Sequence, residues 1–178
     1  MTTFFEPESR AAVHAPRRGL RTALTIAGLD PCGGAGIVAD VRTFTALGVW
    51  PLAVAATLTY QSTRGMTGRY DVPKEVVLRQ LEELFADRNP NAVKTGALGG
   101  GGAAKEAGLF LDAVDYRGVL VVDPVLSATS GGALIEEEAL EALARYLLPR
   151  ATIVTPNASE AAEISGFEVE DLQDAEAA

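Results

Sequence analysis

Five short runs, TALTIAG, PLAVAATLTY, AVKTG, GVLVVD and ATIVT, are apolar along their whole length, not on alternate residues, and a helix-patterned stretch follows each of them. A strand with one wet face alternates, whereas a strand apolar on both sides must be covered on both. The stretches between them supply that cover. GIVADVRTFTAL is closed by Gly48, and PKEVVLRQLEELFAD takes Pro73 as its first helical residue. AAKEAGLFLDAV follows, and EEEALEALARYLL is stopped by Pro149. In NASEAAEISG, Asn157 and Glu160 have the spacing of a capping box, and Gly166 stands where a helix ends. Strand–helix alternation of this kind predicts an α/β fold, with a mainly parallel sheet in a three-layer α/β/α domain. A chain of 178 residues suits one such domain.

Residues 1–20 carry Pro7, Pro16 and scattered charge without periodicity and read as a flexible N-terminal extension, leaving 21–178 for the fold. At the other end, FEVEDLQDAEAA reads as a linker and the opening turns of a helix cut short. The residues after Pro149 are therefore expected to leave apolar surface uncovered.

Charge and composition exclude several functions. Fifteen Lys and Arg against 24 Asp and Glu give a formal charge of −9, the wrong sign for a nucleic-acid partner. One cysteine, Cys32, rules out an internal disulfide and a multi-cysteine metal site, and the single His14 rules out histidine-based zinc sites. The opening residues lack the apolar core of a signal peptide, and no segment approaches the ~20 apolar residues of a membrane span. A cytoplasmic protein with no membrane partner is expected.

The stretch TIAGLDPCGGAGIVADVRTF places glycines at 28, 33, 34 and 36 between a strand and a helix. That spacing is neither the dinucleotide fingerprint nor a P-loop, which would end in Gly-Lys-Ser/Thr. A bare structural turn and a ligand loop stand about equal on the glycines alone. Asp40 adds weight to a ligand. The helix's apolar stripe is Ile37, Val41, Phe44 and Leu47, and Asp40 projects between Phe44 and Leu47. A carboxylate on a core-facing side needs a partner. The helix N-terminus is one; a polar ligand in a cleft above the sheet is the sharper one. Further polar residues gather at strand ends, where α/β sheets bind ligands: Gln61, Lys94 and Thr95, Asp123, then Thr155 and Asn157. The loop SATSGG, 127–132, adds hydroxyls.

In order and spacing, TIAGLDPCGGAGIVADVRTFTALG, TYQSTRG, NAVKTGALG, VVDPVLSATSGGALI and TIVTPNASEAAEISG resemble the phosphomethylpyrimidine kinases, the hydroxymethylpyrimidine kinases of thiamine biosynthesis in the ribokinase-like superfamily. The resemblance runs from about Ala23 onward and covers the N-terminal part of the family's domain. It implies transfer of the ATP γ-phosphate to hydroxymethylpyrimidine and its monophosphate, with ATP and Mg²⁺ as cofactors. It implies that Gly28, Asp40 and Gln61 meet the pyrimidine, and an amide such as that of Gln61 can match its neighbouring ring acceptor and amine donor. Asp123, Asn157 and Glu160 fall in the family's phosphate region, with Asp123 and Glu160 toward the metal. Two departures bear on the pocket. Ala97 stands where the family has a Met beside the ring, and Leu29 and Cys32 flank Asp30-Pro31 where the family has serines. The family's glycine-rich anion hole would lie beyond Ala178, so no residue here is assigned the catalytic proton transfer, and this stretch alone is expected to be inactive. A pyridoxal or pyridoxine kinase of the same superfamily and a non-catalytic pyrimidine-binding remnant are the alternatives. The partner is a small molecule, and a homodimer stays open.

Overall fold

A computed structural model describes residues 19–126, 137–169 and 174. The expected N-terminal extension up to residue 18, the SATSGG loop and most of the final acidic stretch lie outside the described residues. The elements follow in the order β1 (Thr22–Leu29), α1 (Gly36–Ala46), β2 (Trp50–Ser62), β3 (Gly65–Asp71), α2 (Lys74–Asp87), β4 (Ala92–Thr95), α3 (Gly101–Ala113), β5 (Val119–Val122), α4 (Glu137–Tyr146), a 3₁₀ turn (Leu148–Arg150), β6 (Ile153–Val154) and α5 (Ala158–Ser165).

The apolar strand runs come together as one sheet in the order β3-β2-β1-β4-β5-β6. All pairs are parallel except β2–β3, an antiparallel hairpin. The sheet is mixed only at that edge, so the expected mainly parallel α/β architecture holds. Residues on one face, Leu24, Ile26, Val54, Ala56, Val93, Leu120 and Val122, pack with Val77 and Leu81 of α2, Phe110 and Leu111 of α3, and Leu143 of α4. Burying a side chain of this size is worth about 1.5–3 kcal/mol, so this layer is where the fold's stability concentrates. Helix α3 approaches α4 closely because Gly101 and Gly108 carry no Cβ. An atom there would sit 2.7 Å from the Glu138 carbonyl oxygen or 2.6 Å from Tyr146 Cβ.

Helix α1 covers the opposite face over β1 and β2, and it is less buried than its stripe predicts. None of its residues is fully buried, and Leu47 is 73% exposed. The reason is local. The helix ends at Ala46, Leu47 is already its C-cap, and Gly48 follows at φ +73°, so the helical projection no longer governs Leu47. Two other expectations change in detail. Pro73 precedes α2 at ψ 135° and is not its first helical residue. GMTGRYD, which falls outside every run expected above, forms β3 and pairs with the end of β2 as a hairpin. Helix α5 has the full capping box of Asn157 and Glu160 and ends at Gly166 with φ +75°. Near it, Ile153, Val154 and Phe167 are exposed.

Candidate functional site

Helix α1 carries the chain from β1 to β2 on one side, while β4 lies on the other side of β1. Where strand order diverges this way, the carboxyl ends of the two strands cannot be covered by the same connection, and a crevice opens. A cleft of about 740 Å³ lies there, lined by the ends of β1, β4 and β5 and by the β2–β3 hairpin.

The glycine loop forms its near wall, and a residue that sequence reasoning left aside organises it. Asp30, 3% exposed, accepts hydrogen bonds at Oδ1 from the Cys32 amide (2.9 Å) and at Oδ2 from the Gly34 and Ala35 amides (both 3.0 Å). The Cys32 thiol donates to Oδ2 as well, at 3.2 Å. Burial alone would raise this carboxyl, but the donors from Cys32, Ala35 and Gly34 outweigh it and hold Asp30 below its ordinary range. These amides turn inward onto Asp30. They are spent on the loop's own carboxylate, so the loop is not built as an anion cradle. Gly36 closes it at φ +56°, pressed against the Gly28 carbonyl. Gly28 is itself crowded: a Cβ there would meet Thr57 Cγ2 at 2.9 Å.

Gln61 sits on the opposite wall. The pairing of β2 with β3 slips between Tyr60 and Gln61, and a bulge of this kind re-aims a side chain. Gln61 lines the cleft, and among the described residues nothing hydrogen-bonds its side-chain amide. Ser62, Thr63 and Arg64 of the hairpin turn form the rim. Ala97, just past β4, lines the floor with Gly28.

Asp40 is placed differently from the simplest expectation. It is not among the described residues that line the cleft. It stands behind the cleft's floor, where its Oδ2 accepts from the Thr25 hydroxyl at 2.6 Å and pairs with Lys94 Nζ at 3.5 Å. Lys94 does line the cleft, and its ammonium also lies 3.3 Å from Asp123 Oδ2. Asp123 follows β5 directly and lines the same space. Asn157 and Glu160 are engaged with each other in the α5 cap, at 2.9 Å in both directions. The second oxygen of Glu160 accepts from the Leu126 amide at 3.4 Å, next to Val125 of the cleft. The structure thus gathers Gly28, Gln61, Ala97 and Asp123 around one space. Asp40 connects to it through Lys94, whereas neither Asn157 nor Glu160 lines it, and buried Glu160 reaches it only through the Leu126 amide. Thr95, also a strand-end candidate, points away: its hydroxyl is buried without a partner among the described residues.

Lys94 was visible in the sequence only as one polar strand-end residue. Its neighbours Val93 and Thr95 are buried, so a period of two already places it on the other face. A smaller groove of about 280 Å³ lies between α2, α3 and α4, with Lys74, Lys105 and Arg145 opposed by Glu138 and Glu141. Its charges largely cancel, and nothing in it converges on one ligand.

Comparison with known proteins gives the family of the chain. The family model described as phosphomethylpyrimidine kinase matches residues 30–178. The hydroxymethylpyrimidine/phosphomethylpyrimidine kinase of Rhizobium meliloti (strain 1021) is 44% identical over 161 residues, 87% of this chain and 59% of that protein. The crystal structure of a phosphomethylpyrimidine kinase from Clostridium difficile 630 superposes with a TM-score of 0.80 at 40% identity, covering 87% of this chain and 67% of that one. A Staphylococcus aureus pyridoxal kinase in complex with pyridoxal matches with a TM-score of 0.78 at 33% identity, covering 88% and 58%. The chain therefore spans about three fifths of the length of the Rhizobium relative, and over that span it belongs to the phosphomethylpyrimidine kinase family.

Proposed function

We propose that this chain is the pyrimidine-binding part of an ATP-dependent kinase that phosphorylates 4-amino-5-hydroxymethyl-2-methylpyrimidine and its monophosphate in thiamine biosynthesis. The observation that carries the reading is the unengaged Gln61 amide facing a cleft floored by Gly28 and Ala97, with the Asp123 carboxylate across the same space. An aminopyrimidine offers an acceptor beside a donor, and one primary amide satisfies both. The small floor residues admit a flat ring, and Asp123 marks the phosphate side.

The residues also suit a nucleotide with its metal. Mg²⁺ keeps most of its waters and takes one or two carboxylates plus phosphate oxygens, so a cage of protein ligands is not required. Among the described residues no three His, Cys, Asp or Glu side chains form such a cage. Asp123 is the carboxylate open to the cleft; Glu160, buried with its oxygens on the Leu126 and Asn157 amides, would have to release one of them to serve as the second. When bound, the metal would neutralise phosphate charge. The chain's own residues hold and orient the pyrimidine and keep Asp123 aimed. Among the described residues no helix is long and apolar enough to cross a membrane. The reading puts the kinase in the cytoplasm with a small-molecule pyrimidine as its substrate and leaves a homodimer open.

The pyridoxal kinase likeness supports a second reading, in which the same cleft takes a pyridine ring. Calorimetric titration with hydroxymethylpyrimidine, its monophosphate and pyridoxal separates the two. The pyrimidine is expected to bind more tightly than pyridoxal. Gln61→Ala is expected to weaken pyrimidine binding by about 1–3 kcal/mol, the scale of a lost buried hydrogen bond. Tighter binding of pyridoxal, or no change in the variant, would reverse the assignment.

A further inference from the structure

The sheet carries one cation between two carboxylates at the floor of the cleft. Parallel pairing sets Lys94 beside Thr25 on one side and Val121 on the other. With Val93 and Thr95 committed to the opposite, buried face, Lys94 must project toward α1 and the cleft. There its ammonium is 3.5 Å from Asp40 Oδ2 and 3.3 Å from Asp123 Oδ2. All three side chains are largely shielded, at 15% exposure for Asp40, 26% for Lys94 and 31% for Asp123. Partial burial makes such interactions stronger and less screened than surface pairs. The ammonium's three N–H donors can serve both carboxylates, but at 3.5 and 3.3 Å it sits at the optimal charge-assisted distance from neither, so a move toward one is a move away from the other.

Asp40 has a second donor, the Thr25 hydroxyl at 2.6 Å, which fixes its position whether or not Lys94 is fully committed to it. No further donor to the Asp123 carboxylate is found among the described residues. The arrangement is therefore asymmetric: Asp40 is anchored to the sheet, and Asp123 is held by Lys94. The two carboxylates reach Lys94 from different elements, Asp40 from α1 and Asp123 from the end of β5.

We propose that Lys94 is a positioning residue that couples Asp123, which lines the cleft, to Asp40 behind its floor, so that the state of either carboxylate sets where the ammonium sits beside the pyrimidine. This rests on the reading of the cleft as the pyrimidine pocket. Asp40 then acts on the ligand through Lys94. Anything that draws Asp123 away, such as a cation accompanying a phosphate, leaves Lys94 to Asp40 and shifts its ammonium within the floor.

The test is a double-mutant cycle on pyrimidine affinity, measured by calorimetry on the whole chain with hydroxymethylpyrimidine and with neither nucleotide nor metal present. Asp40→Asn and Asp123→Asn are combined in the chain carrying Lys94 and again in Lys94→Met. With Lys94 present, the two substitutions should be non-additive by about fivefold or more in affinity, the lower range of measured site–site coupling. In Lys94→Met the effects should become additive. A lysine that only stabilises the fold would move the melting temperature and leave the two substitutions independent. Additive effects with Lys94 present overturn the inference, and that arm needs no Lys94 variant to fold. Non-additivity that persists in Lys94→Met also overturns it. A chain that binds no pyrimidine at all overturns the pocket reading and the inference together, whereas binding with independent effects overturns the inference alone.

Discussion

Gly36→Ala is expected to destabilise the chain by about 2–5 kcal/mol, out of a net stability that for a domain of this size is about 5–15 kcal/mol. Two costs combine. Gly36 has φ +56°, in the left-handed region that a side chain disfavours. Its missing Cβ would also collide with the Gly28 carbonyl oxygen, which belongs to the backbone of the central strand and cannot rotate away. Relief requires β1 and the start of α1 to separate, and the Leu29–Gly36 bridge is what joins them. The control is two residues away. At Gly34 a Cβ would sit 3.6 Å from Asp30 Oδ2 and 4.0 Å from Cys32 Sγ, ordinary contacts, so Gly34→Ala should stay within about 0.5 kcal/mol of the parent. Urea unfolding of the two variants side by side decides it. Equal midpoints would mean that the loop does not pack as described.

Asp30→Ala should cost about 2–3 kcal/mol, because it leaves the Cys32, Gly34 and Ala35 amides without their charged acceptor, and exposed amides recover only part of that from water. The carboxylate also faces the first turn of α1, whose positive end it favours. A pH dependence follows. The folded state holds Asp30 below its ordinary value of 3.8, so the unfolded chain binds the proton more tightly. Its contribution is complete above about pH 3.8 and is lost as pH falls from there through the folded value. Asp30→Asn should flatten that part of the stability–pH curve. An unchanged slope on the acid side would remove Asp30 from the role.

What the sequence disclosed and what it hid divide along a physical line. The α5 cap could be read because Asn157, Glu160 and Gly166 act within one helix, and local chemistry needs no knowledge of the sheet. The five apolar runs could be read because their residues are apolar on both sides of the sheet, even though only β1 is buried along nearly its whole length while β4 and β5 alternate and β6 is exposed. The hairpin strand β3 could not. As an edge strand with Tyr70 exposed and glycines at 65 and 68, GMTGRYD has no apolar face to advertise it. Asp40 was identifiable as a carboxylate in need of a partner, but the partner depends on register. Only the alignment of Thr25 with Lys94 across β1 and β4 brings a hydroxyl and an ammonium beneath α1. Asp30 was obscured for another reason. In the sequence it stands inside a family-like tetrapeptide, although a carboxylate two, four and five residues before the Cys32, Gly34 and Ala35 amides has a turn-forming role of its own.

The central claim is that the cleft at the carboxyl ends of β1 and β4 receives the pyrimidine. Backbone and side-chain amide resonances of the ¹⁵N-labelled chain, followed while hydroxymethylpyrimidine is added, test it most directly. Shifts are expected to concentrate on Gly28, Gly96, Ala97 and the Gln61 side-chain amide, with smaller changes along the Asp30 loop. Shifts centred instead on Lys105 and Arg145 in the groove between α3 and α4, with Gln61 unmoved at saturation, would contradict it.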